Sequence, residues 1–223
     1  MVAIAVIAMG EMGSGVARRL VERGAKVLTS LAGRSEASAA RARSAGVEAV
    51  DDAALVDSAE IILSIVPPVS AAATAQRFRP LIERVDRKPV FIDCNAIAPQ
   101  TLHAIAKPFL EQRLPFGDAS ILGLAPRADG YSPRVYMSGA IAAEAATLKG
   151  LGLDTVVISQ ALGDASALKM AYAGITKGFQ AIGTAVALGA SRAGAMDSFI
   201  AELKDRKSTR LNSSHVKRSR MPS

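Results

Sequence analysis

The chain has no tryptophan, and only 4% of its 223 residues are aromatic although half are hydrophobic. A core made from it is therefore aliphatic, built from Ala, Val, Ile and Leu as in many α/β enzymes. A single cysteine, Cys94, excludes an internal disulfide and fits a reducing cytosol, so a cytoplasmic location is expected. With one cysteine and two separated histidines, His103 and His215, a metal cluster is unsupported and no metal is expected. The apolar N-terminus lacks a basic leader region, which argues for a strand and against a signal peptide. Lys169 and Lys177 interrupt the later Ala-rich stretch, so no segment qualifies as a membrane span. The net charge of +7 is localised: 205–223 hold six of the 27 basic residues and one of the 20 acidic ones, and the remainder carries +2. The body of the chain therefore gives no reason to expect nucleic acid or a membrane as partner.

What is present begins at residue 2. Val2 to Ile7 reads as a buried strand. It is followed by Ala8-Met9-Gly10-Glu11-Met12-Gly13, and Val16, Ala17, Leu20 and Val21 then recur at helical spacing. Strand, glycine turn and helix form the setting of a dinucleotide fingerprint. Gly10 lets the backbone approach a pyrophosphate, Gly13 lets the helix pack on its strand, and the helix N-terminus offers N–H groups to the phosphates. Gly10, Glu11, Met12 and Gly13 are the first cofactor-binding candidates, although Ala8 stands where a first glycine is expected.

The second strand, Lys26 to Leu31, ends in Ala32-Gly33-Arg34-Ser35. Ribose specificity is decided about 20 residues past the glycines, where an Asp or Glu favours NAD. Arg34 and Ser35 offer a cation and a hydroxyl instead, which suit a 2′-phosphate and point to NADP over NAD. Arg41 and Arg43 read as an ordinary solvated helix face.

Further strands are expected at 47–50, 61–66, 90–93, 116–122, 134–138 and 155–158, with helices at 35–44, 51–58, 71–85, 100–110 and 140–149. Pro80 should bend or end the helix over 71–85. Val66 and Pro67 close the 61–66 strand at the edge where an open parallel sheet binds ligands, and join the cofactor candidates. The alternation predicts an α/β fold, a Rossmann-type doubly wound parallel sheet. Asp164 to Arg192 reads as one long helix, broken near Gly183 or Gly189, opening an all-α C-terminal domain. The expected domains are 1–160, 161–204 and a tail over 205–223. Asp205 to His215, DRKSTRLNSSH, resembles a translated sequencing-library adapter, so the tail is expected to be foreign and the helical domain truncated.

Taken in order, these motifs resemble the β-hydroxyacid dehydrogenase superfamily, which contains 6-phosphogluconate and 3-hydroxyisobutyrate dehydrogenases. The resemblance covers about residues 1–200. Gly10, Met12 and Gly13 match the family's Gly-x-Gly-x-Met-Gly, and Arg34-Ser35 its Asn-Arg-Thr. Asp93-Cys94-Asn95-Ala96-Ile97-Ala98-Pro99 matches Asp-Cys-Ser-Thr-x-x-Pro, which implies that Asn95 contacts substrate. Asp118 through Leu124 matches Asp-Ala-Pro-Val-Ser-Gly-Gly, placing Leu122 and Gly123 at the substrate, with Leu122 in place of a polar contact. In Gly163 through Ala173, Lys169 matches the family's general acid/base. Ala173 replaces an Asn that orients substrate, and Tyr172 could supply a hydroxyl instead. Lys177 is two turns on and rotated by about 80°.

The resemblance implies an NADP-dependent oxidoreductase that moves a hydride between the nicotinamide and a small hydroxy acid or its oxo form. It also implies a homodimer when full length. Imine-reductase-like reduction of C=N bonds is an alternative, as is a cofactor-binding module without turnover. His103 reads as a surface residue and Cys94 as a buried strand end with nothing to activate it.

Overall fold

A computed structural model describes residues 1–127 and 129–205. The tail residues 206–223, expected to be foreign, lie outside them, while Asp205 is helical. The chain forms two compact units, Met1–Ala171 and Tyr172–Ser223. The boundary between these units falls within the stretch read from the sequence as one long helix.

The first unit opens with β1 (Ala3–Ile7), α1 (Glu11–Glu22), β2 (Lys26–Thr29), α2 (Glu36–Ser44), β3 (Glu48–Ala49), α3 (Asp52–Ser58) and β4 (Ile61–Ser64). A single 3₁₀ turn, Pro68–Ser70, leads into α4 (Ala71–Arg84), β5 (Val90–Asp93), α5 (Pro99–Glu111) and β6 (Phe116–Leu122). Then come β7 (Arg134–Ser138), α6 (Ala142–Gly150), β8 (Asp154–Ser159) and α7 (Asp164–Arg192). Local chemistry sets the helix starts. Ser35 and Asp51 accept from the N–H groups of Ser38 and Ala54 at the starts of α2 and α3, and Pro99 opens α5.

The eight strands make one sheet in the order β3-β2-β1-β4-β5-β6-β7-β8. The Rossmann expectation holds for β1 to β6, which are all parallel. One pairing within that sheet is reversed: β7 runs antiparallel to β6, while β8 is parallel to β7. The cause lies in the 123–133 connection, whose described residues include no helix, so the chain turns back beside the strand it has just left. Pro80 does not end its helix: α4 runs on to Arg84. Nor do Gly183 and Gly189 break α7, which continues to Arg192.

Both faces of the sheet are covered, as the apolar runs of β1 and β4 require. One core joins Ile4, Val6, Leu63 and Ile92 to Val16, Ala17 and Leu20 of α1, Ala42 of α2 and Leu148 of α6. The other joins Ala5, Ile7, Ile62 and Phe91 to Leu55 of α3, Phe78 and Ile82 of α4, and Leu102 and Phe109 of α5. Half of the six phenylalanines meet here: Phe91, Phe109 and Phe116 have ring centroids 5.0–5.8 Å apart. Such pairs add about 0.5–1.5 kcal/mol each beyond their burial.

The described part of the second unit holds the rest of α7 and a further helix, α8 (196–205), joined by a turn at Gly194 with φ +69. Tyr172, Ile175, Phe179, Ile182 and Val186 recur at helical spacing and are all exposed.

Candidate functional site

Strand order places β1 between β2 and β4, so the chain winds outward in opposite directions from the gap between β1 and β4. Open α/β sheets bind ligands at such a switch point, beyond the strands' carboxyl ends. The glycine turn lies there. Gly13 is buried, and a Cβ on it would collide with the Ala8 carbonyl oxygen. Helix α1 can approach its own strand this closely only with glycine at that position. At Gly10 a Cβ would meet nothing within 4 Å, and no side chain caps α1 there. The first-turn N–H groups of α1 are therefore left for a ligand. Glu11 is exposed and Met12 half-buried in that turn.

Across the end of β2, the Ser35 hydroxyl lies 3.3 Å from the Ser38 hydroxyl while capping α2. Arg34 is half-buried, and its side chain makes no hydrogen bond or ion pair among the described residues. Arg41 and Arg43 part company. Arg43 pairs with Glu36 in solvent, as expected of a surface residue. Arg41 is half-buried and donates from Nε to the Met9 carbonyl at 2.6 Å and from Nη2 to the Ser38 hydroxyl at 3.3 Å. It ties the glycine turn to α2, a role that depends on two segments meeting in space. Arg spacing in the sequence carries no sign of it.

A second group of polar residues spans the same edge. Ser64, Asp93, Asp118 and Ser138 are paired in register across β4, β5, β6 and β7, and each is 0% exposed. Register partners face the same side of a sheet, so the four form one buried polar row. Buried carboxylates need partners. Asp118 accepts from the Ser138 hydroxyl (2.9 Å), the Ser166 N–H (2.9 Å) and the Ser166 hydroxyl (2.8 Å). The Ala165 N–H donates to Ser138 Oγ at 3.1 Å. These bonds fix the start of α7, one turn before Lys169. Asp93 accepts from the backbone N–H and side-chain amide of Asn95, both at 2.9 Å.

Lys169 is half-buried, within electrostatic reach of Cys94, Asp93 and Asp118. Burial lowers its pKa, and those three groups oppose the shift. Burial likewise pushes the Asp93 carboxyl up to about 6; the Asn95 hydrogen bonds pull it down, Asp118 pushes it further up, and Lys169 pulls it down. The Cys94 thiol is pushed well up by burial, which fits an inert strand end.

The other candidates fall in several places. Val66 is buried beside Pro67, which is exposed. Asn95 is 2% exposed, with its amide engaged inside the protein. Leu122 is the last residue of β6 and Gly123 follows it, beyond the polar row. Gly123 has φ +130, and a Cβ there would collide with the Tyr131 hydroxyl, which accepts from the Leu124 N–H at 3.2 Å. Tyr172 and Ala173 belong to the second unit, Tyr172 exposed and Ala173 half-buried. His103 is exposed as expected, but its Nε2 lies 2.8 Å from the Leu162 carbonyl, against the turn that precedes α7. Among the described residues no group of three or more His, Cys, Asp or Glu could hold a metal ion, and no helix is long and apolar enough to cross a membrane.

A glycine turn at the switch point of a parallel sheet, with an uncapped helix behind it, defines a dinucleotide-binding protein. Residues 3–151 match the NAD binding domain of 6-phosphogluconate dehydrogenase, and the chain belongs to that family. An uncharacterised 28.5 kDa protein in the 7S RNA 5′ region of Methanothermus fervidus is 30% identical over 203 residues, covering 91% of this chain and 76% of that one. Among solved structures, the conserved protein MTH1747, of unknown function and structurally similar to 3-hydroxyacid dehydrogenases, is 30% identical. The match covers 97% of this chain and 81% of that one, with a TM-score of 0.75. An imine reductase from Myxococcus stipitatus in complex with NADP+ shares the fold at 19% identity and a TM-score of 0.73, covering 100% and 79%. Its V8 variant is in complex with NAD+. The chain thus carries an NAD(P)-binding oxidoreductase fold.

Proposed function

We propose that this protein is an NADP-dependent oxidoreductase that interconverts a small hydroxy acid and its oxo form, with Lys169 as the general acid/base. The observation that carries the reading is the half-buried Lys169 one turn into a helix whose start is held at the carboxyl edge of the sheet by Asp118. The residues of the glycine turn fit a dinucleotide, since Gly10 faces open space and α1 is uncapped. Gly10, Glu11, Met12 and Gly13 would hold the pyrophosphate, with Val66 and Pro67 as the opposite wall. When bound, the nicotinamide supplies hydride acceptance and donation. The chain's own work is to orient the reactants and to handle the proton. Burial favours the neutral amine at Lys169 Nζ, which lets it take the alcohol's proton in one direction and return it in the other. Leu122 and Gly123, in the first unit, are the proposed substrate-side positions.

NADP is favoured over NAD because the Arg34 side chain has no hydrogen-bond or ion-pair partner among the described residues and precedes Ser35, whose hydroxyl lies 3.3 Å from that of Ser38. The nearest carboxylate in sequence, Glu36, is engaged by Arg43. A homodimer of the full-length protein is proposed as well, supported by the exposed stripe of Tyr172, Ile175, Phe179, Ile182 and Val186, whose apolar area a second copy would bury.

Fluorescence titration with NADPH and NADH, followed by turnover assays on hydroxy acids, oxo acids and imines, tests the reading. NADPH should bind more tightly than NADH, and Arg34→Ala should remove that preference, a change of roughly 10- to 100-fold for a charge-assisted contact. Turnover of imines but no hydroxy acid would move the assignment to C=N reduction. Coenzyme binding with no turnover on any of them would leave a binding module.

A further inference from the structure

The amide of Asn95 has no capacity left for a ligand at its donor end. Oδ1 accepts from the Val66 N–H at 2.7 Å, while Nδ2 donates to Asp93 Oδ2 at 2.9 Å and to Ser64 Oγ at 3.3 Å. The backbone N–H of Asn95 is also spent, on Asp93 Oδ1 at 2.9 Å. An Asn amide has two donors and an acceptor oxygen, so both donors are satisfied within 2% exposure. Asp93 orients the amide, and the amide in turn holds Val66. The side chain therefore bridges the carboxyl ends of β4 and β5.

Val66 is the last residue of that segment able to donate from its backbone before two prolines. Pro67 and Pro68 have no N–H, and the next backbone tie is Ser70 N–H to Pro67 O at 2.8 Å, inside the 3₁₀ turn itself. On the other side, the Ala8 N–H donates to the Ile65 carbonyl at 3.1 Å, which places this segment directly across from the glycine turn. Where Val66 is held, Pro67 follows, because a proline pair leaves little freedom in φ.

We infer that Asn95 is a positioning residue: braced by Asp93 and Ser64, it fixes the Val66–Pro67 wall of the coenzyme crevice before coenzyme arrives. The inference rests on the NADP reading above and assigns Asn95 a role through the coenzyme wall in place of direct contact with substrate. A wall set in advance spares the coenzyme the ordering of that loop, which raises affinity.

Two measurements on the whole chain test this. Hydrogen exchange, read residue by residue by NMR, should show the Val66 amide of the wild-type protein protected without coenzyme, and unchanged when NADPH saturates it. In Asn95→Ala the Val66 amide should exchange at least tenfold faster, while Val27 in β2 keeps its wild-type rate. The NADPH dissociation constant should rise at least tenfold. A general loss of structure would instead speed exchange across the sheet. If wild-type Val66 exchanges like an open amide, or if folded Asn95→Ala binds NADPH as tightly as wild type, the inference is wrong. The first of these holds even if Asn95→Ala does not fold. A wild-type chain that binds neither coenzyme overturns the NADP reading and the wall's purpose together, and the Val66 exchange rate then still reports whether the brace exists.

Discussion

The Asp118 carboxylate and Ser166 are joined twice, through the serine's N–H at 2.9 Å and its hydroxyl at 2.8 Å, although 48 residues separate them. Asp118 is thus the N-terminal anchor of α7, supplied by a neighbouring strand. The carboxylate is fully buried and also takes the Ser138 hydroxyl. Asp118→Ala would strand three buried donors and should cost about 3 kcal/mol or more. Ser166→Ala removes one hydroxyl donor and should cost about 1 kcal/mol. Urea unfolding of both variants measures the contrast; equal costs would mean that the anchor does not depend on the carboxylate.

The two glycines of the turn should separate folding from binding. Gly13→Ala pushes a methyl group into the backbone oxygen of Ala8, which cannot move without shifting β1. Its cost should be about 1–3 kcal/mol, as for other overpacked sites. Gly10→Ala meets no protein atom and has an ordinary φ of −74, so stability should stay within about 1 kcal/mol of wild type. Its methyl group would occupy the space left for a pyrophosphate, and NADPH affinity should fall at least tenfold. Thermal melts paired with coenzyme titrations read both. Undiminished binding by Gly10→Ala would place the phosphates elsewhere.

How much of this was legible beforehand depends on the range of the interaction. The glycine turn could be read because strand, turn and helix are contiguous, and the requirement at Gly13 arises from Ala8, five residues away. Arg34 and Ser35 follow a strand end at a fixed spacing, so their place was legible too. The polar row was not, since Ser64, Asp93, Asp118 and Ser138 meet only through the register of four strands. Two separate motifs each named one of its members, Asp93 and Asp118, without showing that they are neighbours. Likewise, the reversal at β7 is a property of the 123–133 connection, and strand-like composition at 134–138 says nothing of direction. Arg41 was misread for the same reason: its partner, the Met9 carbonyl, is a backbone atom 32 residues earlier.

Asp93 gives stability a definite pH dependence. Its folded-state pKa of about 6 lies above the ordinary 3.8, so the native state holds this proton more tightly than the unfolded chain. The stability contributed by the protonated acid is full below the ordinary value and is lost as pH rises through about 6. Asp93→Asn is neutral throughout and lacks this titration. The stability of the variant relative to wild type should therefore increase with pH between 3.5 and 7, by about 3 kcal/mol. Urea unfolding across that interval checks the slope. A difference independent of pH would give Asp93 an unshifted pKa.

Lys169 separates binding from chemistry most directly. Its ammonium is destabilised chiefly by burial, while the surrounding Cys94, Asp93 and Asp118 restrain the shift. For alcohol oxidation the amine must be neutral, so turnover should rise with pH through the lowered lysine pKa and then level off. Lys169→Met keeps the length and apolar stem of the side chain but cannot carry the proton. It should bind NADPH within about threefold of wild type, because no part of the glycine turn is touched. Turnover on a substrate identified from the panel should fall by about 10²- to 10⁴-fold, the usual share of general acid/base catalysis, and the alkaline rise in the pH profile should vanish. A variant that keeps wild-type turnover with the same rise would show that the proton is handled elsewhere, and that the lysine merely packs at the start of α7.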